Sequence, residues 1–389
     1  MMRHYPYLII GGGMAGDAAV RGIRSVDSEK AIGLIGQEID PPYNRPPLSK
    51  GLWKTNRPTP MERIWRNTAS LGVELILGRT VTRIDPAEKR VVDDLGEDIS
   101  YDRLLLATGG TPIRLGAEHE RVIYYRTLAD YHRLRALMES SQRFIIIGGG
   151  FIGSEMAAAL AGAGKQVTMI FPEEGIGARL LPQAVSNHLN TVFAEHGVRV
   201  LHGQMVDSVL PDADGVTIRT AEGEELHAGG VVAGLGIRPN VSLAKDAGIE
   251  VDNGILVDEA MRSSHPHIFA AGDVVNFYNP LLEKRMRVEH EENANLTGMI
   301  AGQGMAGELG QYHTLPSVYS KLFGINYDAV GELDPALDII YDWQEPFSEG
   351  VIYYTANGLV RGALLWNMNK GLDDARQQIG KPLAAGRQP

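Results

Sequence analysis

The stretch "RFIIIGGGFIGSEMAAAL", residues 143–160, reads as an apolar strand, a glycine turn and a small-residue helix; "YPYLIIGGGMAGDAAV", residues 5–20, has the same design. In each, a G-x-G-x-x-G pattern falls between strand and helix: Gly11, Gly13 and Gly16 first, then Gly148, Gly150 and Gly153. The first glycine permits a tight turn, the second lets a pyrophosphate approach the backbone, and the third lets helix and strand pack closely. The helix N-terminus then offers N–H groups and a positive dipole end to phosphate. Because a glycine turn can exist without a ligand, a second mark is required. A dinucleotide site places an acidic residue at the end of the next strand, about 20 residues on, to bind ribose hydroxyls. Glu38 follows Gly16 by 22 residues and Glu173 follows Gly153 by 20. The chain is therefore expected to bind two dinucleotides.

Working outward, the run 31–35 and the run 167–171 supply the strand after each turn, and 73–77 and 81–84 alternate as strands do. "YDRLLLATGGTP", residues 101–112, reads as a buried strand leaving a domain through a Gly-Gly-Thr-Pro turn. A helix is expected over about 290–305. In "GVIYYTANGLVRGALLWN", residues 350–367, two β-rich runs meet at Asn357-Gly358, a strong hairpin signal. The fold class is α/β: two Rossmann-like dinucleotide-binding domains and a C-terminal α+β domain. The expected boundaries are 1–112 with 241–309, then 113–240, then 310–389.

Composition narrows the chemistry. The 389 residues are 44% hydrophobic and 22% charged, with a net charge of -11, so nucleic acid is an unfavourable partner. There is no cysteine, which removes disulfides, thiolate metal sites, Cys-ligated iron–sulfur clusters and any dithiol relay. No metal site is expected. No signal peptide is expected before the first strand, and no apolar run approaches the roughly 20 residues that span a bilayer. A soluble, cytoplasmic protein is the expectation.

The blocks "PPYNRPPLSKGLW", "LLLATGGTP", "GGGFIGSE", "IFAAGDV" and "RVEHEENANLTGMIAG" follow one another as in FAD- and NAD-dependent reductases with the glutathione reductase-type fold. Among these the chain resembles apoptosis-inducing factor and, more distantly, the ferredoxin reductases of oxygenase systems. The resemblance implies FAD in the first unit and a nicotinamide dinucleotide in the second. On the FAD side it implies contacts from the turn residues Met14 and Ala15, from Glu38 to the adenosine ribose, and from Arg45 to the pyrophosphate. It adds Val81, Thr108, Gly109, Arg126 and Asp273, the last on the ribityl chain. Lys50 and Glu155 resemble the buried pair beside flavin N5, where a lysine stabilises reduced flavin and the glutamate keeps it charged. Glu289 and His290 begin the helix that points at the flavin, and His290 is a candidate to hold nicotinamide or flavin. On the NAD side the resemblance implies Gly149, Ile152, Gly236, Asp328 and Asn367, with Phe151 gating the nicotinamide. Tyr319 stands where apoptosis-inducing factor has a tryptophan beside the flavin.

Glu173 and Glu174 lie where the 2′ position of the adenosine ribose is expected. A carboxylate bonds a 2′-hydroxyl and repels a 2′-phosphate, which favours NADH over NADPH, while Arg179 softens that repulsion. Two functions remain open. In the first, an enzyme takes hydride from NADH to FAD and passes electrons to a ferredoxin, a rubredoxin, a quinone or oxygen. In the second, a redox-sensing flavoprotein turns over slowly and changes oligomeric state on reduction. The resemblance is compatible with a homodimer.

Overall fold

Two runs of β-branched and leucine residues, too apolar for any surface, become central parallel strands in the computed structural model, which describes residues 3–54, 58–116, 118–368 and 370–383. By internal packing the chain divides into two compact units. The first is Met1–Arg45 with Pro60–Thr111 and Arg238–Pro316; the second is Pro46–Thr59 with Pro112–Ile237 and Ser317–Pro389. Most of 113–240, as far as Ile237, thus shares a unit with the tail from Ser317, and the short segment carrying Lys50 joins them.

In the first unit a seven-stranded sheet runs in the order Val73–Leu77, Ile32–Gly36, Arg3–Ile10, Asp98–Leu106, Arg90–Asp93, Val81–Asp85. The far edge of Asp98–Leu106 is shared. Its first half pairs antiparallel with Arg90–Asp93 and its second half parallel with Ile268–Ala270. Leu8, Ile9, Leu34, Leu104 and Leu105 have no solvent exposure, so the sheet is covered on both faces. The parallel strands end level, Ile10 beside Ile35 and Leu106, and the first glycine turn opens at that edge. Behind it, helix Met14–Val26 packs against helix Glu291–Met305. A Cβ on Gly302 would come inside 3.0 Å of the Ala19 carbonyl oxygen, so only glycine allows this crossing.

The second unit has a five-stranded parallel sheet in the order Val198–His202, Gln166–Phe171, Arg143–Ile147, Gly230–Ala233, Val122–Tyr124. A three-stranded antiparallel sheet spans Val206–Pro211, Val216–Thr220 and Glu225–Ala228. The tail forms a five-stranded antiparallel sheet: Ser317–Leu322, Ile325–Gly331, Leu359–Trp366, Glu349–Ala356, Asp338–Glu345. The expected hairpin is present. Asn357 and Gly358 both take positive φ, 52° and 76°, as a two-residue type I′ turn requires. Among the described residues no helix is long and apolar enough to cross a membrane.

One buried charge ties the first unit's loop to its helix. Asp17 has no exposed side-chain surface, yet its Oδ2 accepts from Arg21 Nε at 2.9 Å and Arg66 Nε at 2.6 Å. Its Oδ1 accepts from Thr68 Oγ1 at 2.6 Å and Arg21 Nη2 at 3.3 Å. Arg66 goes on to donate to Asn44 Oδ1 and Asn295 Oδ1, fixing residues 42–45 between the two helices. Burial pushes the Asp17 carboxyl up, but the bonds from Arg21, Thr68 and Arg66 outweigh it and hold it below the usual carboxylate range. Its stabilisation is thus present above the unfolded value of about 3.9 and is lost as pH falls through the lower folded value. Asp17→Asn is expected to cost about 3 kcal/mol at pH 7, because two guanidinium groups lose their counter-charge. Urea unfolding across pH 2–7 checks this: the variant should lose stability at neutral pH and flatten the acid limb. Unchanged unfolding at pH 7 would refute the role.

Candidate functional site

The three glycines of each turn do three different things. Gly11 and Gly148 take φ of 122° and 112°, and a Cβ on either would come inside 3.0 Å of a carbonyl oxygen, that of Ala107 or of Gly234. Gly16 and Gly153 lie in the first turns of their helices, where a Cβ would meet the Gly11 and Gly148 carbonyl oxygens inside 3.0 Å. Gly13 and Gly150 differ: no atom of the described residues lies within 4 Å of their ideal Cβ positions. Both are N-caps with no side-chain bond to the first turn, at the head of helices of 13 and 12 residues. The backbone is therefore pressed together where strand meets helix and open where a ligand's phosphates could lie against uncapped N–H groups. That combination fits a dinucleotide diphosphate at each turn. Met14 and Ala15, like Gly149, Phe151 and Ile152, are the residues of these openings.

In the first unit Glu38 does not stand alone. Its Oε2 accepts from the Tyr43 hydroxyl at 2.6 Å and its Oε1 from Arg45 Nη2 at 2.5 Å; Arg45 Nη1 also reaches the Tyr43 hydroxyl at 3.1 Å. Burial works against the Arg45 charge, but Tyr43, Glu38 and Asp273 outweigh it and hold the guanidinium above its usual value. The Arg45 amide meets Met14 Sδ at 3.4 Å, bringing this group beside the glycine turn. Asp273 sits in the short helix Gly272–Val274, whose first glycine has φ of 83° and lies against Ala15. Arg287 Nη1 donates to the Asp273 carbonyl at 3.2 Å and to Glu289 at 2.6 Å. His290 caps helix Glu291–Met305 at its backbone. The unit thus gathers the turn, Glu38, Arg45, Asp273, Glu289 and His290. Thr108 and Gly109 lie at the same strand ends, the Thr108 hydroxyl bonded to the Asn240 carbonyl. Val81 is buried at the start of its strand.

Lys50 and Arg126, expected on the FAD side, belong to the second unit. There Lys50 Nζ lies 2.5 Å from Glu155 Oε1, and Glu155 is 3% exposed. Ser49 Oγ donates to Glu155 Oε2 at 2.6 Å and Ser320 Oγ to Oε1 at 2.7 Å. The Lys50 ammonium stands over the Tyr319 ring, 5.2 Å from its centroid, and Tyr319 is itself 46% exposed. The Arg126 amide donates to Asp130 at the capping box of helix Leu128–Ser140. Phe151 heads the helix of the second turn, tilted 6.5 Å from the ring of Tyr327.

At the end of the strand after that turn, Arg179 holds Glu173, with Nε and Nη2 at 2.7 and 2.6 Å from Oε1. Glu174 turns toward His202, at 3.8 Å. Gly236 takes a positive φ of 84°. Burial raises the Asp328 carboxyl above its ordinary value. Asn367 has its amide committed to the fold: Oδ1 accepts from the Asn326 amide and Nδ2 donates to the Ser348 carbonyl. Tyr43, Ser49, Arg287 and Ser320 escaped the sequence reading, although each lies within three residues of one that it named.

Residues 5–298 match the family described as pyridine nucleotide-disulphide oxidoreductase. The ferredoxin–NAD(+) reductase component of an anthranilate 1,2-dioxygenase system from Burkholderia cepacia is 34% identical over 403 residues, covering 99% of this chain and 95% of the relative. Mitochondrial apoptosis-inducing factor 1 of Dictyostelium discoideum is 30% identical over 420 residues, covering 98% and 79%. Of these two, the ferredoxin reductase is the more similar in sequence. Putidaredoxin reductase, in the crystal structure of its covalent complex with putidaredoxin, superposes with a TM-score of 0.90 at 29% identity, covering 97% of this chain and 93% of that one. The sequence has no cysteine, so the disulphide of the family's description has no counterpart here. Matched nearly end to end, the chain belongs to the pyridine nucleotide-disulphide oxidoreductase family and is an FAD-dependent NAD(P)H oxidoreductase.

Proposed function

We propose that the first unit holds FAD, the second holds NADH, and a small iron–sulfur protein of the ferredoxin type takes the electrons. What carries this reading is the pair of glycine turns, each open above its middle glycine and each followed by a carboxylate at the end of the next strand. Bound FAD would supply the chemistry the side chains lack, accepting a hydride and giving up single electrons.

The chain's own residues bind, orient and balance charge. Gly13 and Gly150 leave room for the diphosphates at the helix N-termini. Glu38 meets the adenosine ribose of FAD, held in place by Tyr43 and Arg45. Asp273 meets the ribityl chain and His290 begins the helix aimed at the flavin, whose positive end suits a reduced ring. Lys50 is the chain's candidate cation for a reduced flavin, and Glu155 stands against its ammonium as counter-charge. Tyr319 offers its face beside Lys50 as a smaller platform than tryptophan.

Cofactor choice rests on Glu173. Its carboxylate can accept from a ribose 2′-hydroxyl, and Arg179 is engaged with it rather than left to meet a 2′-phosphate. The ferredoxin-type acceptor draws support from the relatives: an oxygenase-system ferredoxin reductase matched over nearly the whole chain, and a reductase crystallised with its putidaredoxin.

Two outcomes test this reading. Gly153→Ala is expected to lose about 3 kcal/mol of stability, since its Cβ strikes backbone that cannot yield. Gly150→Ala should keep the wild-type melting temperature while raising the NADH dissociation constant about tenfold, a difference of roughly 1.4 kcal/mol. Equal melting losses, or unchanged NADH binding in Gly150→Ala, would count against a diphosphate at this turn. Second, kcat/KM with a [2Fe–2S] ferredoxin as acceptor should favour NADH over NADPH by at least tenfold, and Glu173→Ala should narrow the gap. A preference for NADPH would overturn the cofactor assignment, and failure to reduce any ferredoxin tried, with ready reduction of a quinone, would overturn the acceptor.

A further inference from the structure

Each of the three nitrogens of the Arg66 guanidinium donates to a different stretch of the first unit. Nε meets Asp17 Oδ2 on helix Met14–Val26 at 2.6 Å, and Nη1 meets Asn44 Oδ1 in the loop before residue 46 at 2.8 Å. Nη2 meets Asn295 Oδ1 on helix Glu291–Met305 at 2.9 Å. The backbone here is committed as well. The Arg66 amide donates to the Pro42 carbonyl at 3.0 Å and the Asn44 amide to the Ile64 carbonyl at 2.8 Å, so 42–44 pair with 64–66 as a short antiparallel bridge. Across that bridge Tyr43 lies edge-on to Trp65, ring centroids 6.1 Å apart, and the Arg66 carbonyl accepts from Arg21 Nη2 at 2.6 Å.

The three stretches held this way all lead to the groups proposed to hold FAD. Helix Met14–Val26 begins at the first glycine turn, the loop carries Glu38, Tyr43 and Arg45, and helix Glu291–Met305 starts from His290. Glu38, Tyr43 and Arg45 also bond to one another, but that circuit fixes only their mutual arrangement. Their placement against the glycine turn is set by the 42–44 bridge, by the Arg45 amide on Met14 Sδ, and by the Arg66 fork. A planar guanidinium with donors in fixed directions can register three segments at once, and an ammonium on a flexible stem cannot. A lysine at position 66 would keep a counter-charge for Asp17 and give up the two side-chain amides.

We propose that Arg66 is a positioning residue for FAD: it sets the loop bearing Glu38, Tyr43 and Arg45 against the first glycine turn, so that the grip on the adenosine ribose is already shaped before the cofactor arrives. The proposal rests on the reading that Glu38 meets that ribose. A loop ordered before binding removes a cost from association and shows as tighter binding with no new contact. Arg66 acts through Glu38, so its effect should disappear once Glu38 can no longer grip.

The test is a double-mutant cycle on the FAD dissociation constant of the full chain stripped of flavin, with melting temperatures measured beside it. Arg66→Lys and Glu38→Gln should each raise the constant about tenfold, and the double variant should exceed Glu38→Gln alone by no more than about twofold, the mark of groups that act through one another. Arg24→Lys is the control. Arg24 donates to the carbonyls of Asp27, Lys30, Leu71 and Gly72 at the far end of the same helix, so its loss should lower the melting temperature and leave FAD binding at the wild-type value. An unchanged constant in Arg66→Lys, or a double variant weakened about a hundredfold, would overturn the proposal and leave Arg66 as a structural ion pair. Equal weakening in Arg24→Lys and Arg66→Lys would overturn it too. If Glu38→Gln binds FAD as tightly as the wild type, the ribose assignment itself fails and the positioning role falls with it.

Discussion

The backbone-to-backbone approach of helix and strand at the two glycine turns is the constraint on which the rest depends. Gly16 and Gly153 sit where any side chain would strike the carbonyl of the turn's first glycine. Only that closeness brings the helix N-terminus level with the strand ends, where a diphosphate meets several N–H groups at once. On the proposed reading, the acidic ends of the following strands, Glu38 and Glu173, would meet the ribose. The same logic recurs at the Met14–Val26 and Glu291–Met305 crossing, where glycines let the second helix seat its start near the first turn.

On that frame the charged groups form short local circuits. Glu38, Tyr43 and Arg45 hold one another, and Asp273 adds to the field on Arg45. Glu155 is served by one ammonium and two hydroxyls in nearly closed surroundings. Asp17 has no solvent access and two guanidinium partners. For Asp17 and Glu155 a charge removed from water is matched by donors on more than one stretch of chain, which is the condition for tolerating it there.

What could be read from the sequence was local. The glycine spacing, the acidic residues about 20 positions on and the Asn357-Gly358 hairpin are each set by a few neighbouring residues. The Lys50–Glu155 pairing came through family likeness and not from any local pattern; the two groups lie 2.5 Å apart. The hydroxyls did not show: Ser320 is 165 residues from Glu155, and a serine carries no periodic or compositional mark. Arg66 likewise reads as a solvated charge until the fold sets it against Asp17 and Asn295. The amide bonds of Asn367 to Asn326 and Ser348 also carry no local mark in the sequence. That Pro46–Thr59 packs with the second unit could not be seen either, because its anchors, Tyr125 and Tyr131, lie some 80 residues downstream.

The account stands or falls on a flavin and a nicotinamide held by one chain. The most direct measurement is an anaerobic titration of the purified protein, saturated with FAD, against NADH while its visible spectrum is recorded. One flavin per chain, bleached by a single equivalent of NADH, is the expected result. Protein that retains no FAD, or whose bound flavin stays oxidised under excess NADH, would contradict it.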